Sequence, residues 1–296
     1  MDKEFLYDML RTPSVSGHEI ALQKKVIQHM EPVADEILTD ATGDVISVLN
    51  PHAEAKVLLC GHIDEIGFLV TRICEDGMLK VTKAGGIHPV LYLGTHVQVV
   101  CASQILPGVV VTNRTLESKE QVQVEDLFID LGFDSKAECE RYVSIGDPVC
   151  AASEFTELAH GKLAGRALDD RIGAFIILEA LKKAKQKQAA CGIYAATTCG
   201  EETTMRGAYH VATRVQPSCA LIVDVTFASD YPGVSGDASG TVKLGGGAVL
   251  CSNSMINKPL NAALAAIAEE HQLDVQWEVF AGKAGTDGDV VHFTNG

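Results

Sequence analysis

An α/β fold is predicted, a mostly parallel sheet flanked by helices, with an all-β, barrel-like domain inserted into it. Three observations point there. Continuous apolar runs at 57–60 and 219–223 suit strands buried on both faces. Amphipathic helical stretches alternate with such runs at both ends of the chain, the rhythm of a parallel sheet covered on each side. Between about residues 66 and 160 that rhythm gives way to short strands and glycine turns.

The elements follow in order. Residues 2–11 form a short helix with Phe5, Leu6, Met9 and Leu10 on one stripe. Thr12-Pro13-Ser14-Val15-Ser16-Gly17 is a turn-rich break, and a second helix covers about 19–30 through Ile20, Val26, Ile27 and Met30. Strands are expected at 36–39 and 44–49 around a turn at Gly43, and a central strand at 56–60 runs into Gly61-His62-Ile63-Asp64-Glu65. In the insert, strands fall at 67–73, 79–82, 96–100, 108–111 and within 122–130, with one helical segment at 135–142, giving a barrel or a sandwich. Then come a strong amphipathic helix at 169–187, a strand at 191–198, a helix at 207–215, a buried strand at 219–223, a helix at 258–270 and a strand at 275–280. Residues 1–65 and 161–296 are therefore expected to form one domain, interrupted by a second at 66–160. Gly245-Gly246-Gly247 lacks the surroundings of a phosphate loop and reads as a turn or a close backbone approach to substrate.

Composition narrows the function. The formal net charge of −15 should repel nucleic acid and anionic lipid. The nine cysteines are scattered, without a CxxC pair, mostly in apolar runs, as small buried hydrophobes in a reducing compartment. No signal-like apolar segment follows the N-terminus and no run of 18 apolar residues occurs, so a cytoplasmic protein without a membrane span is expected. There is no nucleophile elbow and no dinucleotide fingerprint.

Four apolar segments are followed closely by acidic or imidazole groups: His62, Asp64 and Glu65; Asp169 and Asp170; Glu201 and Glu202; and Asp224. In an open α/β sheet, groups beyond the carboxyl ends of the strands share one crevice. So many carboxylates together would repel one another and take up protons unless a divalent cation offset them. One histidine with several carboxylates suits zinc, cobalt or manganese better than calcium, and more than four candidate ligands suggest two ions. Asp64, two residues from His62, is placed to orient the second ring nitrogen. Plainer explanations compete: a structural histidine at 62, a helix cap at Asp169, an exposed acidic turn at Glu201-Glu202. Both glutamates can face one spot only if a bent segment after Gly200 presents them. Of the other histidines, His292 stays open because it follows the glycine-rich segment 285–289.

On these residues the chain resembles the M42 family of metallo-aminopeptidases, some of whose members are labelled endoglucanases. The resemblance covers nearly the whole chain and rests on Pro13-Ser14-Val15-Ser16-Gly17-His18-Glu19, Gly61-His62-Ile63-Asp64-Glu65-Ile66-Gly67-Phe68, Val124 to Gly132, Leu168-Asp169-Asp170-Arg171, Glu201-Glu202, Arg206-Gly207-Ala208, Asp224-Val225-Thr226 and Gly285-Thr286-Asp287. It implies a zinc-peptidase-like catalytic domain and two divalent cations per subunit, zinc or cobalt, with manganese as another candidate. His62, Asp169 and Asp224 would hold one ion, Asp169 bridging to a second held by Glu202. Glu201 would be the general base and Asp64 the support of His62. Short peptides with a free N-terminus would be the substrates. The insert would build dimers, and these a homo-oligomer of up to twelve copies. The family pattern has one more histidine, in a His-Ser-Pro-like segment that this sequence does not reach at Gly296, so the second ion is expected to lack that ligand and the catalytic domain its last strand and helix. Thr203-Thr204 stands where relatives often carry Val-Gly. Rival readings are a polysaccharide hydrolase, which needs only a carboxylate pair, a non-catalytic relative that keeps the assembly, and a metal-free binding protein.

Overall fold

The computed structural model describes residues 2–112, 122–152, 155–236 and 239–294. Helices α1 (Lys3–Arg11) and α2 (Ile20–Met30) come first, α1 capped by Asp2, whose side chain accepts from the Phe5 N–H. Strands β1 (Glu36–Thr39), β2 (Val45–Leu49) and β3 (Lys56–His62) follow. The barrel strands are β4 (Gly67–Ile73), β5 (Leu79–Ala84), β6 (His96–Val100), β7 (Ile105–Thr112), β8 (Leu127–Asp130) and β9 (Pro148–Ala151), with the one-turn α3 (Lys136–Cys139) between the last two. A hairpin of β10 (Thr156–Leu158) and β11 (Lys162–Ala164) leads to α4 (Leu168–Gln186), β12 (Gly192–Thr198), α5 (Glu201–Thr204), α6 (Arg206–Val215) and β13 (Cys219–Ile222). Strand β14 (Ala248–Ser252), α7 (Lys258–Glu270), β15 (Val275–Val279) and α8 (Gly288–Val291) complete the described elements.

The principal sheet runs β1-β2-β12-β3-β13. Its centre is parallel, with Thr198 opposite His62 and Ile222 opposite Cys60. This sets the carboxyl ends of three strands side by side. The β1-β2 edge is antiparallel, so the sheet is mixed. The short turn around Gly43 leaves no room for the crossover that a parallel pair requires. Alternate residues of β2 and β12 face opposite layers. Val45, Leu49, Ile193 and Ala195 pack with α1, α2 and α4, whereas Ile46, Val48, Tyr194 and Ala196 pack with α6. Helix α4 lies so close to β3 that a Cβ on Gly61 would stand 2.8 Å from the Ala174 nitrogen.

The insert closes as an antiparallel six-stranded barrel, β4-β5-β8-β7-β6-β9, which decides between barrel and sandwich. Its core is its own, formed by inward residues such as Phe68, Leu79, Val97, Val99, Leu127 and Ile129. The helical stretch expected at 135–142 shrinks to Lys136–Cys139, started by the Ser135 side chain accepting from the Glu138 N–H. Strand β14 was hidden by the glycines before it, and it pairs in parallel with β15. Gly247, at φ +96°, approaches the Asp274 carbonyl so closely that a side chain would collide with it. That glycine therefore serves chain packing. Among the described residues no helix is long and apolar enough to cross a membrane.

Candidate metal centre

His62 ends β3 and is 2% exposed. Its Nε2 lies 3.1 Å from Asp169 Oδ1 and 3.8 Å from Glu201 Oε2. Its Nδ1 lies 3.2 Å from the Asp64 carbonyl and 3.5 Å from Asp64 Oδ1, so Asp64 addresses the ring nitrogen that faces away from the cluster. The fully buried Asp64 does more than sequence reasoning assigned it. Its two carboxylate oxygens accept the backbone N–H groups of Glu201 at 3.0 Å and Glu202 at 3.2 Å. That fixes the turn carrying both glutamates to the loop carrying His62.

The turn itself is the bent segment that lets two adjacent glutamates face one spot. Gly200 (φ +73°) and Met205 (φ 55°) bracket the single turn α5, and glycine adopts such a backbone at no steric cost. Both glutamates then face the cluster, Glu201 nearly buried and Glu202 partly so. Asp169 and Asp170 open α4, and Asp224 follows β13.

Ligand atoms of His62, Asp169 and Glu202 all lie within 4.8 Å of one another, and so do those of His62, Asp170 and Asp224. The structure thus brings together His62, Asp169, Glu202 and Asp224, with Asp64 and Glu201 in contact with them. It adds Asp170, fully buried, whose Oδ1 accepts from the Gly173 N–H while Oδ2 has no hydrogen-bond partner. Its only sequence signal is adjacency to Asp169. Asp287 is a second addition. It is 1% exposed, accepts from Thr198 Oγ1 at 2.5 Å and leaves Oδ1 unpartnered. The segment Gly285-Thr286-Asp287 was visible in the sequence, but nothing there placed it behind β12. His292 lines a cavity on whose wall His62, Asp169, Glu201, Glu202 and Asp224 also lie.

Electrostatics reflect this crowding. Burial, with Asp287, Asp224 and Glu202 nearby, pushes Glu201 up to about 8. Burial and the charge of Asp169 raise Glu202 to about 7, and burial with Asp169 raises Asp224 to about 6. Burial also lifts Asp287 to about 7. Burial alone would lower His62, but Asp169, Asp64 and Asp170 outweigh it and raise the imidazole well above its usual value. Burial would likewise raise Asp64, yet the bonds to His62 and the Glu201 N–H hold it below the usual carboxylate range. Clustered carboxylates, one imidazole and a buried oxygen without a partner are the donor set that a divalent cation satisfies. The residues fit such an ion.

The cluster sits on the wall of a cavity of about 1620 Å³ that takes in Ile66, His88 and Tyr92 from the barrel side and Val249, Leu250 and Asn257 from the C-terminal side. That volume is several times what a single amino-acid side chain fills.

Comparison with known proteins identifies the family and the fold. Residues 43–296 match the family described as M42 glutamyl aminopeptidase. The lysyl aminopeptidase of Pyrococcus furiosus (strain ATCC 43587 / DSM 3638 / JCM 8422 / Vc1) is 29% identical over 302 residues, which covers 98% of this chain and 85% of that protein. The crystal structure of the TET aminopeptidase from the marine sediment archaeon Thaumarchaeota archaeon SCGC AB-539-E09 superposes with a TM-score of 0.90 at 30% identity, over 97% of this chain and 84% of the other. The Pyrococcus horikoshii TET1 peptidase, which can assemble into a tetrahedron or a large octahedral shell, gives 0.85 at 31% identity, over 97% and 86%.

Proposed function

Because the chain belongs to the M42 family of peptidases and so hydrolyses peptide bonds, we propose that it is a two-cation aminopeptidase that removes N-terminal residues from short peptides, with Glu201 as general base. One observation carries this: a nearly buried glutamate with a strongly raised proton affinity stands 3.8 Å from the imidazole of a carboxylate-rich cluster, on the wall of a large cavity.

His62, Asp169 and Asp224 would hold one divalent cation, with Asp169 shared with a second held by Glu202. Zinc and cobalt suit these ligands best. Such ions supply Lewis-acid polarisation of a carbonyl and a water of lowered pKa. The rest falls to the chain's own groups. Glu201 Oε2 receives the proton of the attacking water and delivers it to the leaving amine. Its affinity for a proton, set by burial and by Asp287 and Asp224, falls when positive charge enters the cluster, towards the near-neutral range a general base needs. Asp64 keeps His62 oriented and holds the N–H groups of Glu201 and Glu202, so base and ligands move as one unit. Carboxylates beyond those needed for ligation attract the α-ammonium of a peptide, which favours cleavage at a free N-terminus.

The barrel, residues 66–160 in round terms, is the dimerisation domain on this reading, and the copies build a closed homo-oligomer. Its independent core and its exposed apolar side chains, Leu91, Ile105 and Ile145, support that role, as do the assemblies of the TET1 relative.

The test is Glu201→Gln. It should keep the wild-type cation content and lose about 10²–10⁴-fold in turnover of an aminoacyl anilide. Turnover within a factor of a few of wild type, at equal cation content, would assign the base to another group. Cation counting by elemental analysis tests the stoichiometry of two.

A further inference from the structure

The segment 13–19, conspicuous in the sequence, has no part in the proton chemistry above, yet it is folded onto the loop that carries His62. The Ser14 N–H donates to Glu65 Oε1 at 2.9 Å, and Ser14 Oγ donates to the Ile63 carbonyl at 2.7 Å. The Glu65 N–H returns a bond to the Ser14 carbonyl at 3.0 Å. Glu65 is buried. Both of its carboxylate oxygens accept from Arg166 Nη1, at 2.7 and 2.6 Å, and Oε1 also accepts from Arg171 Nη2 at 2.8 Å. The guanidinium of Arg171 is fully buried, and it donates to the carbonyls of Met9 and Leu10 and to Ser14 Oγ. Arg166 Nη2 donates to the Arg11 carbonyl at 3.1 Å.

The placement is specific. Glu65 follows His62 just beyond the end of β3, and Arg166 and Arg171 stand on either side of Asp169 at the start of α4. Two independent ion pairs to one carboxylate therefore fix the start of α4 against the end of β3, where His62 Nε2 and Asp169 Oδ1 are 3.1 Å apart. Stability alone explains such a network poorly. Taking three charges out of water is costly, and well-packed apolar side chains often serve a fold equally well. What the network supplies is register between two loops that must hold ligands at a fixed separation.

We propose that Glu65, Arg166 and Arg171 form a positioning bracket that sets the spacing of His62 and Asp169, so that cation affinity depends on it. This rests on the metal-centre reading above. The three residues are positioning residues: they act through the ligands.

The experiment uses the full chain and Co²⁺ alone. Wild type, Glu65→Gln and Arg166→Gln are titrated with Co²⁺, the visible absorption of the bound ion is recorded, and the unfolding midpoint of each cation-free protein is measured in urea. Both variants should bind Co²⁺ about 10–100-fold more weakly than wild type, with a changed cobalt spectrum and a cooperative unfolding transition. Wild-type affinity and spectrum with only a lowered midpoint would overturn the proposal and leave the network a matter of stability. If Glu65→Gln does not fold, Ser14→Ala replaces it, since it removes a single hydroxyl. It should weaken Co²⁺ binding several-fold, and unchanged binding again refutes the bracket. A wild-type protein that binds no Co²⁺ would instead bring down the metal-centre reading, and the proposal with it.

Discussion

Cation binding to this cluster should displace protons, and the number can be worked from the groups involved. At pH 7 without a cation, Glu202, at about 7, is roughly half protonated, and Asp224, at about 6, roughly one-tenth. His62, raised well above its usual value by Asp169 and its carboxylate neighbours against the opposing effect of burial, adds to the protons held. Ligation requires carboxylate and neutral imidazole, and Glu201, at about 8 and mostly protonated at pH 7, gives up part of its proton as positive charge enters, so about one proton or more per chain should leave when the first ions enter. The sign follows directly. Each raised group binds protons more tightly in the folded protein, so protons compete with the cation most strongly at low pH. Affinity should rise with pH by roughly one to two powers of ten per unit between pH 6 and 8. Calorimetric titration of the cation-free protein with Zn²⁺, repeated in buffers of different ionisation enthalpy, measures the released protons directly. Ordinary carboxylates would be fully ionised throughout this range and release none. Zero proton release at pH 7, with an affinity that is flat from pH 6 to 8, would refute the picture of a cluster that takes up protons in place of metal.

Two further outcomes follow from packing and hydrogen bonding. Asp64→Asn keeps the shape of a buried side chain but cannot accept both the Glu201 and Glu202 N–H groups; cation affinity should fall about 10–100-fold, and a Co²⁺ titration within twofold of wild type would show that Asp64 does not tie the two loops together. Gly61→Ala places a Cβ 2.8 Å from the Ala174 nitrogen and 2.9 Å from the Gly173 carbon; a loss of roughly 1–3 kcal/mol in urea unfolding is expected, and an unchanged midpoint would mean that α4 can move away from β3 without cost.

How much of this was legible in the chain depended on the range of the physics involved. Strand β3 announces itself because a strand inside a covered sheet is continuously apolar; the equally apolar β13 proves to be a half-buried edge strand, and in each the run gives way to a polar residue, His62 or Asp224, at the carboxyl end. The α4 and α7 helices are equally local, since their apolar stripes repeat every turn. What stayed hidden is non-local. The antiparallel β1-β2 edge follows from a turn length, and β14 was masked by three glycines, of which Gly247 allows the close approach of the Asp274 backbone. At the site, residue types near strand ends were enough to gather His62, Asp169, Glu202 and Asp224. No pattern in the sequence distinguishes the exposed Asp169 from the buried Asp170 beside it, because that difference comes from the way α4 begins against Gly61. The same holds for Asp287 and for Glu65. Each is one acidic residue among 39, and becomes informative only when a distant hydroxyl or guanidinium is found bonded to it. Burial of charge is decided by partners from other segments, whereas burial of an apolar side chain is decided by its own chemistry and its neighbours in sequence. That asymmetry explains why the clustered His62, Asp169, Glu202 and Asp224, with Asp64 beside them, could be named from the chain, while Asp287 and the guanidinium partners of Glu65 could not.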